Sequence, residues 1–292
     1  MRTAIKVVIF AIAFAVTTRL ISKPDVFDTS QLRGKRVLIT GASSGIGEQL
    51  AYQYAKNGAH VFITARREEL LQQVVKKCKE ISSKDSQFGY ITADMKQKAD
   101  MEQLVKTAVK ELGGLDVVII NHALLLDFKN SENFDQAMAD LESCLTVNAV
   151  APAYIAGLTL PHLLKSGGQL GVVNSGAGKI TTKYSRPYAS SKFALEAYFT
   201  SLTDEMKDSN VSITNIILGA IETAAARTIF DKAVEEINFP MHKLRVMSAV
   251  DTAEFIMQGV ARGEREIYYP SELNYVVLFR DILFRLGLFY VD

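Results

Sequence analysis

Arg36-Val37-Leu38-Ile39-Thr40-Gly41-Ala42-Ser43-Ser44-Gly45-Ile46-Gly47 is the stretch on which the fold turns. Its first five residues are a short run rich in β-branched side chains and read as a strand. Glycines follow at once, and a helical pattern runs on from Gly45 to Asn57. Gly41 permits the tight turn, Gly45 lets the backbone approach a pyrophosphate, and Gly47 lets helix and strand pack closely. The helix opening there turns N–H groups and a positive dipole end toward the phosphates. The spacing is G-x-x-x-G-x-G rather than G-x-G-x-x-G, so the flanking strand and helix carry the reading. With Ser43, Ser44 and Ile46, these glycines form the expected cofactor-binding turn.

The same alternation continues outward. Strands are expected at His60 to Thr64, Phe88 to Thr92, Leu115 to Ile120, Leu170 to Asn174 and Val211 to Leu218. Helices are expected at Glu68 to Ile81, Asp100 to Leu112 and Ala189 to Asp208, with a long helical stretch interrupted around Pro152 and ending near Lys165. Short strands separated by such helices need crossover connections, hence a parallel sheet. Near-continuous apolar strands imply a sheet covered on both faces. The expected fold is a single doubly wound α/β domain of Rossmann type over residues 34–270, with its ligand at the carboxyl ends of the strands.

The end of the second strand selects the nucleotide. An acid there would bind a ribose 2′-hydroxyl and repel a 2′-phosphate. Here Ala65 carries no acid, and Arg66 and Arg67 follow. A guanidinium pairs with a 2′-phosphate, with Ser43 adding a hydroxyl, so NADP is expected over NAD. Arg66 is placed in the cofactor set. Arg67, whose competing reading is a solvated charge at a helix start, is left out of it.

Tyr188 and Lys192 lie four apart on a helix and project from one face. A free phenol is a poor acid–base group at its pKa of about 10. A cation one turn away is expected to stabilise the phenolate and lower that value. Ser175 closes the fifth strand, where its hydroxyl can hold a substrate oxygen, and Asn148 in the long helix completes the set.

On the motifs TGASSGIG (40–47), Asp94, Asn121-His122-Ala123, Asn148, Ser175 and YASSK (188–192), the chain resembles the short-chain dehydrogenase/reductase family over residues 34–270. The resemblance implies a seven-stranded sheet and a Tyr188–Lys192–Ser175–Asn148 tetrad. In that tetrad Tyr188 exchanges the proton, Ser175 holds the substrate oxygen, Lys192 also binds the nicotinamide ribose, and Asn148 holds a water of the proton relay. It further implies Asp94 beside the adenine, Asn121 supporting the cofactor side of the sheet, and Ile221 and Thr223 at the nicotinamide carboxamide.

Within the family the chain is most similar to the branch of 11-beta-hydroxysteroid dehydrogenase type 1. ITAR (63–66), the NHA replacing NNAG, SGAGK (175–179), SSKFAL (190–195), NVSIT (210–214), Leu218-Gly219 and EIYYP (266–270) carry that likeness. It implies NADP(H)-dependent interconversion of a hydroxysteroid and a ketosteroid, and a homodimer. Thr182, Lys183 and Arg186 depart from the apolar or tyrosine residues of the branch, which leaves another lipophilic carbonyl substrate open. A catalytically silent dinucleotide-binding protein is a third reading, opposed by the spacing of Tyr188 and Lys192.

Outside the domain, Val7 to Val16 is unbroken apolar sequence. Residues 1–21 are expected to be an uncleaved single-span anchor. A cleaved signal peptide, with Ala13-Phe14-Ala15 as its site, and a core helix are the alternatives. Residues 22–33 read as a linker. Residues 271–292 read as an amphipathic helix whose Arg280, Asp281 and Arg285 share one arc, suited to a membrane interface, a twin subunit or the chain's own core. Asn210-Val211-Ser212 is a glycosylation sequon. Together these suggest a lumenal domain on the endoplasmic reticulum membrane, or a secreted protein.

Composition excludes other classes. Of 292 residues, 48% are apolar and the net charge is +1, which rules out disorder. The 33 basic and 32 acidic residues balance without a basic block, so no nucleic acid is expected. Cys78 and Cys144 make no disulfide framework and, with the scattered histidines, no metal site. His122, beside the expected cleft, reads as structural.

Overall fold

The computed structural model describes residues 27–126, 133–181, 184–237 and 245–285. Strands β1 (Arg36–Thr40), β2 (His60–Ala65), β3 (Phe88–Thr92), β4 (Val117–Ile120), β5 (Gln169–Ser175), β6 (Ser212–Leu218) and β9 (Glu266–Tyr269) form one parallel sheet in the order β3-β2-β1-β4-β5-β6-β9. A small second sheet pairs β7 (Ala220–Glu222) with β8 (Val246–Ser248). The helices are α1 (Gly45–Lys56), α2 (Glu68–Ile81), α3 (Lys98–Leu112), α4 (Phe134–Leu145), α5 (Ala151–Ser166), α6 (Arg186–Glu205), α7 (Ala224–Ile237), α8 (Ala249–Ala261) and α9 (Glu272–Arg285).

The apolar strand runs feed two cores at once, because successive side chains point to opposite faces. Val37, Ile39, Val61, Ile63, Val117 and Ile119 enter one core, under α1, α2 and α8. Leu38, Phe62, Val118, Ile120, Leu170 and Val172 enter the other, under α3, α5 and α6. Each fully buried aliphatic side chain contributes about 1.5–3 kcal/mol.

Three of the boundaries that differ from the sequence reading have a local reason. The domain begins before Gly34: Asp28 caps a 3-10 turn at Thr29–Leu32, and Leu32 is buried in the core. The break in the long helix is a π turn at Thr146–Val150, with Pro152 in the first turn of α5. Proline lacks an N–H and its ring crowds the carbonyl four residues back, here that of Asn148. Helix α6 opens at Arg186 rather than Ala189, because Pro187 suits a first turn.

The stretch Phe134–Ser166 is long and apolar enough to cross a bilayer. Its Cys144 is fully buried, and Ile155, Ala156 and Leu163 pack in the second core. The expected anchor at residues 1–21 and the last residues of the chain lie outside the described residues. Of the expected helix over 271–292, the described part is α9, Glu272–Arg285.

Candidate active site

Between β1 and β4 the strand order reverses, and the carboxyl ends of the strands open into a crevice there. A cavity of about 760 Å³ fills it, lined by the turn after β1, the ends of β2, β4, β5 and β6, and residues of α6, α7 and α9. That volume is in the usual range for ligand sites.

The turn is built by close approach. Gly41 and Gly45 hold φ of 66° and 61°, values L side chains avoid. A Cβ on Gly41 would sit 2.7 Å from the His122 Cα, and one on Gly47 would sit 2.4 Å from the Gly41 carbonyl oxygen. Gly47 thus serves helix–strand packing, whereas Gly41, Ser43, Ser44, Gly45 and Ile46 face the cavity. Asn121 pins the turn from β4, its Nδ2 donating to the Thr40 and Gly41 carbonyls at 3.1 Å each.

At one end of the cavity, Ala65, Arg66, Arg67 and Asp94 lie together. Arg67 was left out by the sequence reading, yet its Nη2 donates to Ser43 Oγ at 2.9 Å and to Ser44 Oγ at 2.8 Å. Parallel pairing explains this. The Ala42 N–H donates to the Thr64 carbonyl, which brings the end of β2 beside the serines. Two adjacent hydroxyls facing that strand end were the signal.

At the other end, Tyr188 sits in the first turn of α6, beside Ser175. Burial pushes its hydroxyl up to about 12, against the opposing effect of Ser175. This reverses the expected lowering by Lys192, for a geometric reason. The Lys192 ammonium donates to the Val173 carbonyl at 3.1 Å and lies 5.8 Å from the Tyr188 ring centre. Lys192 is itself 2% exposed, and burial pushes it down to about 8. The Ser175 Oγ caps the next turn by accepting from the Ala177 N–H at 3.1 Å.

Asn148 is fully buried in the π turn, and it is not among the residues lining the cavity. Its carboxamide clamps the backbone of Leu124, accepting from the N–H at 2.6 Å and donating to the carbonyl at 2.9 Å. It also donates to Ser191 Oγ at 3.0 Å. Ile221 and Thr223 line the cavity, and the Thr223 hydroxyl caps α7 by accepting from the Ala226 N–H. Leu273 of α9 reaches the same cavity, which periodicity in the tail could not show. Asn210 is exposed, beside the start of β6, and its Nδ2 donates to the Leu164 carbonyl at 3.1 Å. Among the described residues no cluster of three metal-ligating side chains occurs.

The family described as short chain dehydrogenase matches residues 35–234. The chain belongs to that family. This short-chain dehydrogenase is 40% identical over 257 residues to the hydroxysteroid 11-beta-dehydrogenase 1-like protein of Danio rerio, covering 87% of this chain and 85% of the relative. It is 40% identical over 248 residues to the protein of the same name from Gallus gallus, covering 84% and 82%. An alcohol dehydrogenase from Thermococcus sibiricus, solved in complex with 5-hydroxy-NADP, superposes with a TM-score of 0.68. That match covers 81% of this chain and 96% of the other at 22% identity, and it bears on the fold alone.

In this short-chain dehydrogenase His122 is a structural group with a pH signature. Its Nδ1 pairs with Thr40 Oγ1 at 2.8 Å. Burial first, and the Lys192 charge second, push it down to about 3, opposed by the Val147 carbonyl. Its folded pKa is depressed, so below about 6.5 the unfolded chain binds the proton that the folded one refuses. Stability is therefore lost as pH falls from about 6.5 toward 3, reaching about 2 kcal/mol at pH 5. His122→Asn should flatten that part of the profile in urea melts at pH 5 and pH 7.5. An unchanged slope would remove His122 as its source.

Proposed function

We propose that the chain is an NADP(H)-dependent oxidoreductase that interconverts a hydroxyl and a carbonyl on a lipophilic substrate, with hydroxysteroids and ketosteroids as the substrate class. One observation carries the reading. A single cavity has Arg67 with Ser43 and Ser44 at one end, Tyr188 with Ser175 at the other, and an apolar wall including Leu126, Ile180, Ile229, Phe230 and Leu273. The names of the Danio rerio and Gallus gallus relatives support the substrate class.

The residues fit the nucleotide. Gly41, Ser43, Ser44, Gly45 and Ile46 of the turn line the cavity, and the turn opens α1, whose first N–H groups carry no side-chain cap from Ser44 and suit a pyrophosphate. Arg66 and Arg67, with Ser43 and no acid at Ala65, suit a 2′-phosphate. Asp94 would lie at the adenine, Lys192 at the nicotinamide ribose, and Ile221 and Thr223 at the carboxamide, with Asn121 holding the turn. NADPH supplies the hydride when bound. In reduction Tyr188 donates its hydroxyl proton to the carbonyl oxygen while Ser175 holds that oxygen. A hydroxyl pushed up to about 12 is fully protonated at neutral pH, as a general acid must be. The Lys192 cation, one turn along α6, stabilises the phenolate left behind. In oxidation the phenolate takes the proton back. Asn148 acts through the Leu124 backbone that it clamps.

The test is NADPH oxidation over a panel of ketosteroids and small lipophilic ketones. Turnover of a ketosteroid supports the full reading. Turnover of the small ketones alone keeps the chemistry and removes the steroid. No turnover of either removes both.

We further propose a lumenal domain on the endoplasmic reticulum membrane, anchored by residues 1–21 and glycosylated at Asn210, and acting as a homodimer. The exposed Asn210 leaves a glycan clear of the cavity, since it precedes β6 and the cavity lies beyond that strand's other end. The exposed Leu278 and Phe279 on α9 supply apolar surface for a membrane or a second subunit. Glycosidase treatment of microsomal protein should raise gel mobility, and added protease should spare the domain in sealed vesicles. Loss of the domain to that protease would place it on the cytoplasmic side. Cross-linking in intact microsomes should trap a band of twice the chain's mass, and its absence would remove the dimer.

A further inference from the structure

Asn174 stands immediately before Ser175 in a strand that is otherwise apolar at its buried positions Leu170, Val172 and Val173. It is 2% exposed. Its Oδ1 accepts from the Ser175 N–H at 2.8 Å, and its Nδ2 donates to Glu196 Oε2 at 2.9 Å and, at 3.4 Å, to the Lys192 carbonyl. One carboxamide therefore touches the backbones of both Ser175 and Lys192.

Glu196, one turn beyond Lys192 on α6, is held in turn. Its Oε1 accepts from Lys179 Nζ at 2.7 Å and from Thr200 Oγ1 at 3.0 Å. Lys179 Nζ also donates to Glu266 Oε2 at 3.0 Å, and the Tyr268 hydroxyl donates to the other oxygen of Glu266. The Lys179 carbonyl accepts from Arg280 of α9. The turn between Ser175 and Lys179 is pressed onto the same place: a Cβ on Gly178 would meet the Lys192 carbonyl at 2.7 Å and Asn174 Oδ1 at 2.9 Å. Lys192 closes the circuit with its side chain, through the Val173 carbonyl.

Burying an amide costs free energy unless its hydrogen bonds are made, and an apolar residue at position 174 would pack in the strand without that cost. A satisfied buried network gives one defined geometry in return. Here that geometry is the distance between the strand carrying Ser175 and the helix carrying Tyr188 and Lys192.

We propose that Asn174 is a positioning residue, anchored by the Glu196–Lys179–Glu266 cluster, that sets Ser175 against Tyr188 and Lys192 for the proton step. The proposal rests on the catalytic reading given above. Position 174 needs an acceptor toward Ser175 and a donor toward Glu196, which the carboxamide supplies from its two ends. Asn174→Asp sets carboxylate against carboxylate. Asn174→Asp with Glu196→Gln reverses donor and acceptor between the two side chains, and so restores that shorter bond though not the longer one to the Lys192 carbonyl.

The experiment measures kcat and KM for the fastest ketone of the panel, per NADPH-binding site counted by nucleotide fluorescence, so that only folded enzyme is scored. Asn174→Asp should lower kcat about 10- to 100-fold with little change in KM, the size expected of a small misplacement of reacting groups. The double variant should recover most of that loss, which a merely structural role would not produce. Wild-type kcat in Asn174→Asp, or a double variant no better than the single one, overturns the proposal. Should Asn174→Asp yield no folded protein, Lys179→Met tests the anchor from the half-buried turn. It should lower kcat several-fold at unchanged KM, and wild-type kcat there overturns the proposal equally. Tyr188→Phe is run beside them. If it keeps its activity, the catalytic reading fails; if it is inactive while Asn174→Asp is not, only the positioning role fails.

Discussion

Tyr188→Phe should abolish turnover while leaving the fold and NADPH binding in place. The substitution removes one oxygen from a half-buried ring in the first turn of α6. Among the described residues no other acid stands beside Ser175 to replace it. His122 is held neutral at physiological pH, with its Nδ1 committed to Thr40, and Lys192 donates to the Val173 carbonyl. A positioned proton-transfer group is worth about 10²–10⁴ in rate, so activity should fall by that factor. Lys192→Ala should lower the rate and also weaken NADPH, because the same ammonium is assigned to the ribose. The measurement is kcat and the NADPH dissociation constant for both variants under conditions limited by chemistry. More than about a tenth of wild-type kcat in Tyr188→Phe would show that the proton comes from elsewhere.

NADPH should bind more tightly than NADH by about 1–3 kcal/mol, the worth of charge-assisted hydrogen bonds to the 2′-phosphate. That is about 5- to 150-fold in dissociation constant. Arg67→Ala should remove the larger share, because Arg67 is the guanidinium already oriented by Ser43 and Ser44. Arg66→Ala should remove less, since among the described residues no serine contact orients its guanidinium. Titrating both nucleotides against both variants and the wild type checks the order. Equal affinity of the wild type for the two nucleotides would overturn the assignment, and a larger loss in Arg66→Ala would reverse the ranking.

The two arginines show where reading the chain stops. Their presence after β2, and the lack of an acid at Ala65, are facts of sequence. Which one turns back over the serines depends on how β1 and β2 lie side by side. Asn148 divides in the same way. Its place in the family order was legible, whereas its engagement with Leu124 depends on a π turn imposed by Pro152 across two helices. The pKa of Tyr188 is a third instance. A lysine four residues along suggested a lowered value, but burial dominates and the ammonium points to Val173.

By itself the sequence determined the strand–helix alternation, the parallel sheet, the glycine turn and the pairing of Tyr188 with Lys192 on one helix face. Those features rest on local periodicity and on spacings of a few residues, where backbone geometry leaves little freedom. The tertiary structure alone decided that Arg67 meets Ser43 and Ser44, that Leu273 of the last helix closes the cavity, and that Asn174 joins Ser175 to α6 through Glu196. Those contacts join residues from 22 to 97 positions apart, apart from the Asn174–Ser175 bond. They form only once both faces of the sheet are packed, because the directions of the side chains are set by that packing and not by their neighbours in the chain.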